Sequence, residues 1–391
     1  MKPAGYLFAT AEAAIKKPGR KDIAVIVSEL PATMAGTFTT NLVKAAPVRN
    51  CMKKIRSGEG RAVVVNSGNA NACTGRQGEK DAEETAALVS GQLKIKSSLT
   101  YPCSTGVIGT PMPMERIRPA MPALVKNIGK SSFDDVAKAI MTTDTFPKSA
   151  SRRLKVNGKY GTISGICKGA GMIAPNMATM LCFIITDIAV EKKALQAALS
   201  EAVGKSFNRI TIDGDTSTND TALIMANGAL GNKPLTLKSA EFSAFRKALD
   251  ELTYELSRLI VKDGEGATKL VEVFVMNAKN EADAAKAALA IANSSLVKTA
   301  VYGNDANWGR IMAAAGYSKA KFDPEKADVW FNKVKVVNKG IANNKDREAT
   351  EEMKKKELRI TVDLHAGKAS AKVLTCDLTE DYIRINAEYR T

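Results

Sequence analysis

Short β-branched runs alternate with longer helical patterns along the whole chain, and this alternation restricts the fold more than any other feature. Ile23 to Val27, Ala62 to Val65, Leu181 to Ile185, Val271 to Val275 and Leu358 to Val362 read as strands. Asp81 to Lys94, Phe133 to Met141, Glu191 to Val203, Ala240 to Val261 and Glu281 to Ala292 read as helices. Several carry acidic residues in the first turn, where the helix dipole favours them. Ser239 or Ser243, and Asn280, are candidate N-caps. The pattern excludes a sandwich and a helical bundle and predicts an α/β (α+β) fold. Pro111, Pro113, Pro119 and Pro122 predict an irregular connection over residues 110–122. A Lys-rich, strand-like stretch from about residue 320 predicts a smaller C-terminal lobe.

Composition narrows the chemistry. The 391 residues include one histidine, His365. No site that needs two histidines is possible, and a Ser-His-Asp enzyme could use only His365. A general base here is expected to be something other than imidazole, and His365 itself is expected to be structural. Six cysteines, Cys51, Cys73, Cys103, Cys167, Cys182 and Cys376, lie far apart and form no Cys-x-x-Cys pair. This spacing predicts reduced, buried thiols and neither a zinc ribbon nor a redox motif. Lys and Arg total 57 against 41 Asp and Glu, a net charge of +16. Those cations are scattered and not interleaved with aromatics, which make up only 5% of the chain. Stacking platforms for single-stranded nucleic acid need more, so no nucleic-acid partner is expected. No apolar stretch reaches the roughly 18 residues of a membrane span, and no secretory signal pattern opens the chain. A cytoplasmic protein without a membrane partner is expected.

The unusual residues concentrate in a few polar, glycine-bearing segments. They are Asn66 to Cys73, Cys103 to Gly109, Lys168 to Leu181, Asp213 to Thr221, Lys262 to Lys269 and Gly303 to Arg310. Each alone reads as a turn, whereas six together suggest loops that build a site. Asp213 to Thr221 lacks the spacing and terminal glutamate of a calcium loop. Lys168 to Leu181 lacks the ending of a phosphate-binding loop, and no metal site is expected. In that segment a turn delivers Ala178-Thr179 to the start of an apolar strand. Thr179 reads either as a β-branched residue that opens the strand or as a nucleophile. As a nucleophile without histidine it needs another base. A free α-amine, with a pKa near 8, serves if the chain is cut between Ala178 and Thr179.

The run from Lys168 to Leu181 resembles the self-cleavage motif of the ornithine acetyltransferase (glutamate N-acetyltransferase) family of arginine biosynthesis. Ser206 to Thr211, running into Asp213 to Thr221, is similar to that family's most characteristic stretch. Thr39-Thr40-Asn41, Ala45 to Val48, Asn66 to Asn71, Ser104 to Gly109, Met141 to Thr145, Asp263 to Lys269 and Ile385 to Thr391 fit as well. Together they cover nearly the whole chain in the family's order. Ala306 departs from it, standing where the family usually has proline, and nothing in the resemblance explains the lysine excess.

The resemblance implies a layered, N-terminal-nucleophile-like α/β fold. It implies cleavage into an α chain, 1–178, and a β chain, 179–391, with roughly 280–391 as the smaller lobe. Thr179 would be the nucleophile, and Ala178 and Thr179 the cleavage site. Thr105 and Gly106 would form the oxyanion hole. Thr142, Lys168, Thr179, Glu265, Asn386 and Thr391 would bind substrate. The implied substrates are N2-acetylornithine and glutamate, with ping-pong transfer through acetyl-Thr179. No resident cofactor is implied, although acetyl-CoA can be a co-substrate in some members. The fragments would pair as a heterotetramer of two α and two β chains. An N-terminal-nucleophile amidohydrolase or aminopeptidase on the same scaffold is the alternative.

Overall fold

The computed structural model describes residues 1–174 and 180–388. Two compact units divide the chain. One comprises Met1–Gly169, Asn176–Asn208 and Asp215–Ile260, and the other Ala170–Pro175, Arg209–Gly214 and Val261–Thr391.

The first unit is built on strands β1 (Tyr6–Ala11), β2 (Ile23–Phe38), β3 (Glu59–Asn66), β4 (Thr100–Ser104), β5 (Lys148–Val156), β6 (Lys159–Lys168), β7 (Leu181–Thr186) and β8 (Thr221–Ala226). They form one mixed sheet in the order β4-β3-β2-β8-β7-β6-β5, with β1 paired antiparallel to β2. Neighbours β3 and β4 run parallel, as do β7 and β8. Successive side chains of a strand face opposite sides of the sheet. Ile23, Val25 and Val27 accordingly join a core with Ile117, Met121 and Leu124 on one face. Ala24 and Ile26 join Val136, Ala139 and Ile140 on the other. With both faces covered, the central strands need apolar residues at every position, and all six of β7 are buried. That is why they are legible as unbroken apolar runs.

Strand β2 extends past the run at Ile23 to Val27, and its pairing with β3 shifts register between Val27 and Ala32. Ser28 to Pro31 interrupts the apolar pattern there, because Pro31 cannot donate to a ladder.

The expected irregular connection at 110–122 is a helix for most of its length. Met114–Lys126 is α-helical with Pro119 and Pro122 inside it. Ile117, Ala120, Met121 and Leu124 bury one face, while both prolines are exposed. The carbonyls deprived of a partner by the prolines therefore lie on the solvent side, and core burial on the opposite face holds the helix.

The second unit carries strands β9 (Leu270–Ala278), β10 (Asp328–Phe331), β11 (Val334–Asn338), β12 (Ile341–Ala342), β13 (Glu357–Asp363) and β14 (Ala369–Cys376), ordered β12-β11-β10-β13-β9-β14. Val271, Val273 and Val275 pack with Ala284, Ala287, Ala288 and Ile291 of the helix Glu281–Asn293. Asn280 caps that helix as expected, its side chain accepting from Asp283 N–H at 2.8 Å. His365 lies in the turn after β13, not in a strand, and its Nε2 sits 3.0 Å from Asp328 Oδ2. Five cysteines are buried, but Cys73, in the loop after β3, is exposed. Among the described residues no helix is long and apolar enough to cross a membrane, and no cluster of potential metal ligands occurs.

Candidate active site

In the first unit several of the polar segments converge. Parallel β3 and β4 end side by side, with Asn66 opposite Ser104. The loops that follow are stitched together by their own side chains. Ser104 Oγ donates to Asn66 Oδ1 at 2.6 Å, and Thr105 N–H donates to the Asn66 carbonyl at 3.0 Å. Asn219 Nδ2 reaches both loops, donating to the Ala70 carbonyl at 2.6 Å and the Ser104 carbonyl at 2.8 Å. Thr39 Oγ1 donates to the Ser217 carbonyl at 2.7 Å, and Ala45 N–H to the Thr218 carbonyl at 2.9 Å. Segments far apart in sequence thus form one polar cluster, and almost every buried group in it is satisfied by a partner.

Thr105 and Gly106 sit within this cluster, with Thr105 buried. Gly106 adopts φ +138°. A Cβ there would lie 2.3 Å from the Gly68 carbonyl carbon and 2.4 Å from Asn69 N, both backbone atoms. The close approach of two backbones explains why this position is glycine. Gly106→Ala is expected to displace the Gly68–Asn69 backbone and destabilise the protein by at least about 2 kcal/mol. Thermal unfolding beside wild type measures this, and an unchanged midpoint would contradict the packing described.

Thr142 and Lys168 are brought together by a residue that the sequence alone did not single out. Asp144 is buried, and its carboxylate accepts from Thr142 N–H at 3.0 Å, Gly169 N–H at 2.7 Å and Lys148 Nζ at 2.7 Å. Lys168 Nζ is 3.9 Å away. Lys148 is fully buried and Lys168 nearly so. Burial alone would raise the Asp144 pKa. The charges of Lys168 and Lys148 and the hydrogen bonds outweigh it and hold the carboxyl down to about 2. Two buried lysines thus approach one carboxylate.

Asp220 is also wholly buried, just ahead of β8. Its Oδ1 accepts from Met180 N–H at 2.8 Å. Burial pushes its carboxyl well above the usual carboxylate range, only partly offset by the Met180 N–H, the Lys168 charge and Thr39.

In the second unit Glu265 and Asn386 meet. Asn386 Nδ2 donates to Glu265 Oε2 at 2.8 Å, and Glu265 N–H donates to the Ala170 carbonyl at 2.8 Å. A Cβ on Gly171 would fall 2.2 Å from Glu265 Oε2, so that glycine makes room for the carboxylate. Asp213 accepts from the N–H groups of Met172 at 2.6 Å and Ile173 at 2.8 Å. Tyr382 Oη lies 3.2 Å from the same carboxylate. The segment that leads toward the expected cleavage site is thereby tied to the C-terminal helix Glu380–Ala387. Ala178, Thr179 and Thr391 lie outside the described residues. Asp144, Lys148 and Asp220 have no local signal that separates them from turn and strand residues. Asp144 and Asp220 fall inside matched motifs, but their partners are set by packing.

The chain matches the ArgJ family over residues 7–391. It is 54% identical to the arginine biosynthesis bifunctional protein ArgJ of Geobacter sulfurreducens, covering 99% of each chain. It is 50% identical to that of Symbiobacterium thermophilum, covering 100% of this chain and 98% of the relative. A crystal structure of the Bacillus halodurans arginine biosynthesis bifunctional protein is 44% identical with TM-score 0.52, covering 53% of this chain and 98% of that one. The α/β fold, the histidine-free polar site and these likenesses together define an acyltransferase. More particularly, the chain belongs to the ArgJ family and is an acetyltransferase of arginine biosynthesis.

Proposed function

We propose that this chain moves an acetyl group from N2-acetylornithine to glutamate through an ester on Thr179. The likeness to the Geobacter protein along 99% of both chains carries this reading. In maturation, Thr179 Oγ attacks the Ala178 carbonyl carbon. The carbon–nitrogen bond breaks, the nitrogen gains a proton, and an ester joins the two residues. Water then cleaves the ester to leave the Ala178 carboxylate and a free Thr179 with its own α-amine. The solved Bacillus chain supports cleavage: 53% of this chain spans 98% of it, roughly the share that residues 179–391 make up.

In turnover the Thr179 amine takes the hydroxyl proton as Oγ attacks the acetyl carbonyl. Ornithine leaves with a proton on its nitrogen, and the glutamate amine then attacks the acetyl ester. Thr105 and Gly106 supply hydroxyl and N–H donors to the oxyanion of each tetrahedral intermediate. Lys168, with Thr142, takes the substrate carboxylate, the two being brought together through Asp144. Glu265, with Asn386, takes the ornithine ammonium, and Thr391 completes the substrate contacts. No resident cofactor is needed. The word bifunctional in the relatives' names supports a second donor, and we assign acetyl-CoA to it. The two fragments remain together and pair as a heterotetramer in the cytoplasm.

Incubation with N2-acetylornithine, with and without glutamate, tests the reading. N-acetylglutamate formed only when glutamate is present is expected, and acetyl-CoA replacing the first donor checks the second activity. Acetate released at the same rate without glutamate would instead indicate a hydrolase.

A further inference from the structure

A cavity of about 650 Å³ opens in the first unit. Its charged lining consists of Arg20, Lys21, Asp135, Lys138 and Asp144, and Thr142 borders it as well. Arg20 and Lys21 come from the turn that leads into β2, and Asp135 and Lys138 from the helix Phe133–Ala139. The volume falls within the range of sites that take ligands larger than a single amino acid.

The carboxylates of this wall are already engaged. Asp144 has no exposed side-chain surface and accepts from Thr142 N–H, Gly169 N–H and Lys148 Nζ. Asp135 Oδ2 accepts from Ser132 N–H at 2.9 Å and Ser132 Oγ at 2.8 Å, which caps its own helix. Asp22, next in sequence to Lys21, is buried, and its carboxylate takes the N–H groups of Ala13 at 2.7 Å and Ile15 at 2.6 Å.

The cations stand differently. Arg20 is half-buried, and its Nη2 donates to the Met141 carbonyl at 2.6 Å and lies 3.5 Å from Ser67 Oγ. Neither contact uses its Nε or Nη1, and the first ties the guanidinium to the residue before Thr142. Lys21 and Lys138 are exposed. Lys138 Nζ is 4.0 Å from Asp135 Oδ1, and the charges of both lysines reach that carboxylate. One cleft thus gathers three cations around a single solvent-reached carboxylate, an arrangement that attracts a ligand with several negative charges.

We propose that this cavity takes the phosphates of a thioester donor, acetyl-CoA, with Arg20, Lys21 and Lys138 as the cations that hold them. This rests on the assignment of acetyl-CoA as second donor above. A single carboxylate occupies one cation, whereas a tail of several phosphates occupies all three, and a guanidinium suits phosphate oxygens. The phosphates lie at the far end of the donor from its thioester and take no part in bond making. The cavity therefore acts on binding of this donor alone, beside the place assigned to the substrate carboxylate at Thr142.

Lys21→Gln combined with Lys138→Gln tests this in the full enzyme. The KM for acetyl-CoA is expected to rise at least about fivefold, with kcat and the KM for N2-acetylornithine within about twofold of wild type. S-acetylpantetheine, which lacks the phosphates, should be used equally by both proteins. Added salt should raise the acetyl-CoA KM of wild type more than that of the variant. An unchanged KM for acetyl-CoA, or an equal rise with S-acetylpantetheine, would overturn the proposal and leave the second donor standing. A wild-type enzyme that makes no N-acetylglutamate from acetyl-CoA would overturn the second donor and this proposal with it, and only that outcome reaches both.

Discussion

Thr179→Ala is expected to leave the protein as one uncut chain of 391 residues and to reduce acetyl transfer by at least about a thousandfold. The size of the effect follows from how much rests on this residue in the proposed mechanism. The same hydroxyl cuts the chain and later carries the acetyl group, and the cut itself creates the amine that acts as base. Removing Oγ removes nucleophile and base together. The chain's one histidine, His365, has its Nε2 3.0 Å from Asp328 Oδ2 and is assigned no part in the proposed mechanism. Thr179→Ser keeps a hydroxyl and should retain measurable cleavage and transfer. Intact mass spectrometry reads the first effect and N-acetylglutamate formation the second. An uncut Thr179→Ala protein with wild-type activity would sink the nucleophile assignment.

Asp144→Ala is expected to destabilise the protein by about 3–5 kcal/mol, because it removes a buried carboxylate that two buried lysines approach. Lys148 is fully buried, and its Nζ lies 2.7 Å from Asp144 Oδ1. Lys168 lies 3.9 Å from the same carboxylate. Without it, the N–H groups of Thr142 and Gly169 also lose their acceptor. Denaturant unfolding of both proteins measures the loss, and a shift below about 1 kcal/mol would mean that the cluster relaxes without its carboxylate. Lys148→Met should cost less, since Asp144 keeps Lys168. The pH dependence carries a definite sign. The Asp144 pKa is depressed in the folded state, to about 2 from an ordinary value of 3.8. Its contribution is therefore complete above about pH 4 and lost as pH falls toward 2. The stability gap between wild type and Asp144→Asn should narrow over that window.

The sequence made some of this legible and hid the rest, for reasons that particular residues illustrate. The run Leu181 to Ile185 is readable because a strand covered on both faces must be apolar throughout. The helix Met114–Lys126 is not, because Pro119 and Pro122 dominate the local signal while burial of Ile117 and Leu124 decides the outcome. The polar loops could be found individually from their glycines and side-chain oxygens. Their convergence could not, since nothing local says that Asn219 spans from Ala70 to Ser104.

By itself the sequence determined the α/β class, the exclusion of any site that needs two histidines and the family, because these depend on residue type, period and order along the chain. Only the tertiary structure decided that Asp144 serves two lysines and that Asp220 grips Met180. A carboxylate looks the same in a sequence wherever it lies. Its charge state and its task are set by burial and by partners that other strands bring to it.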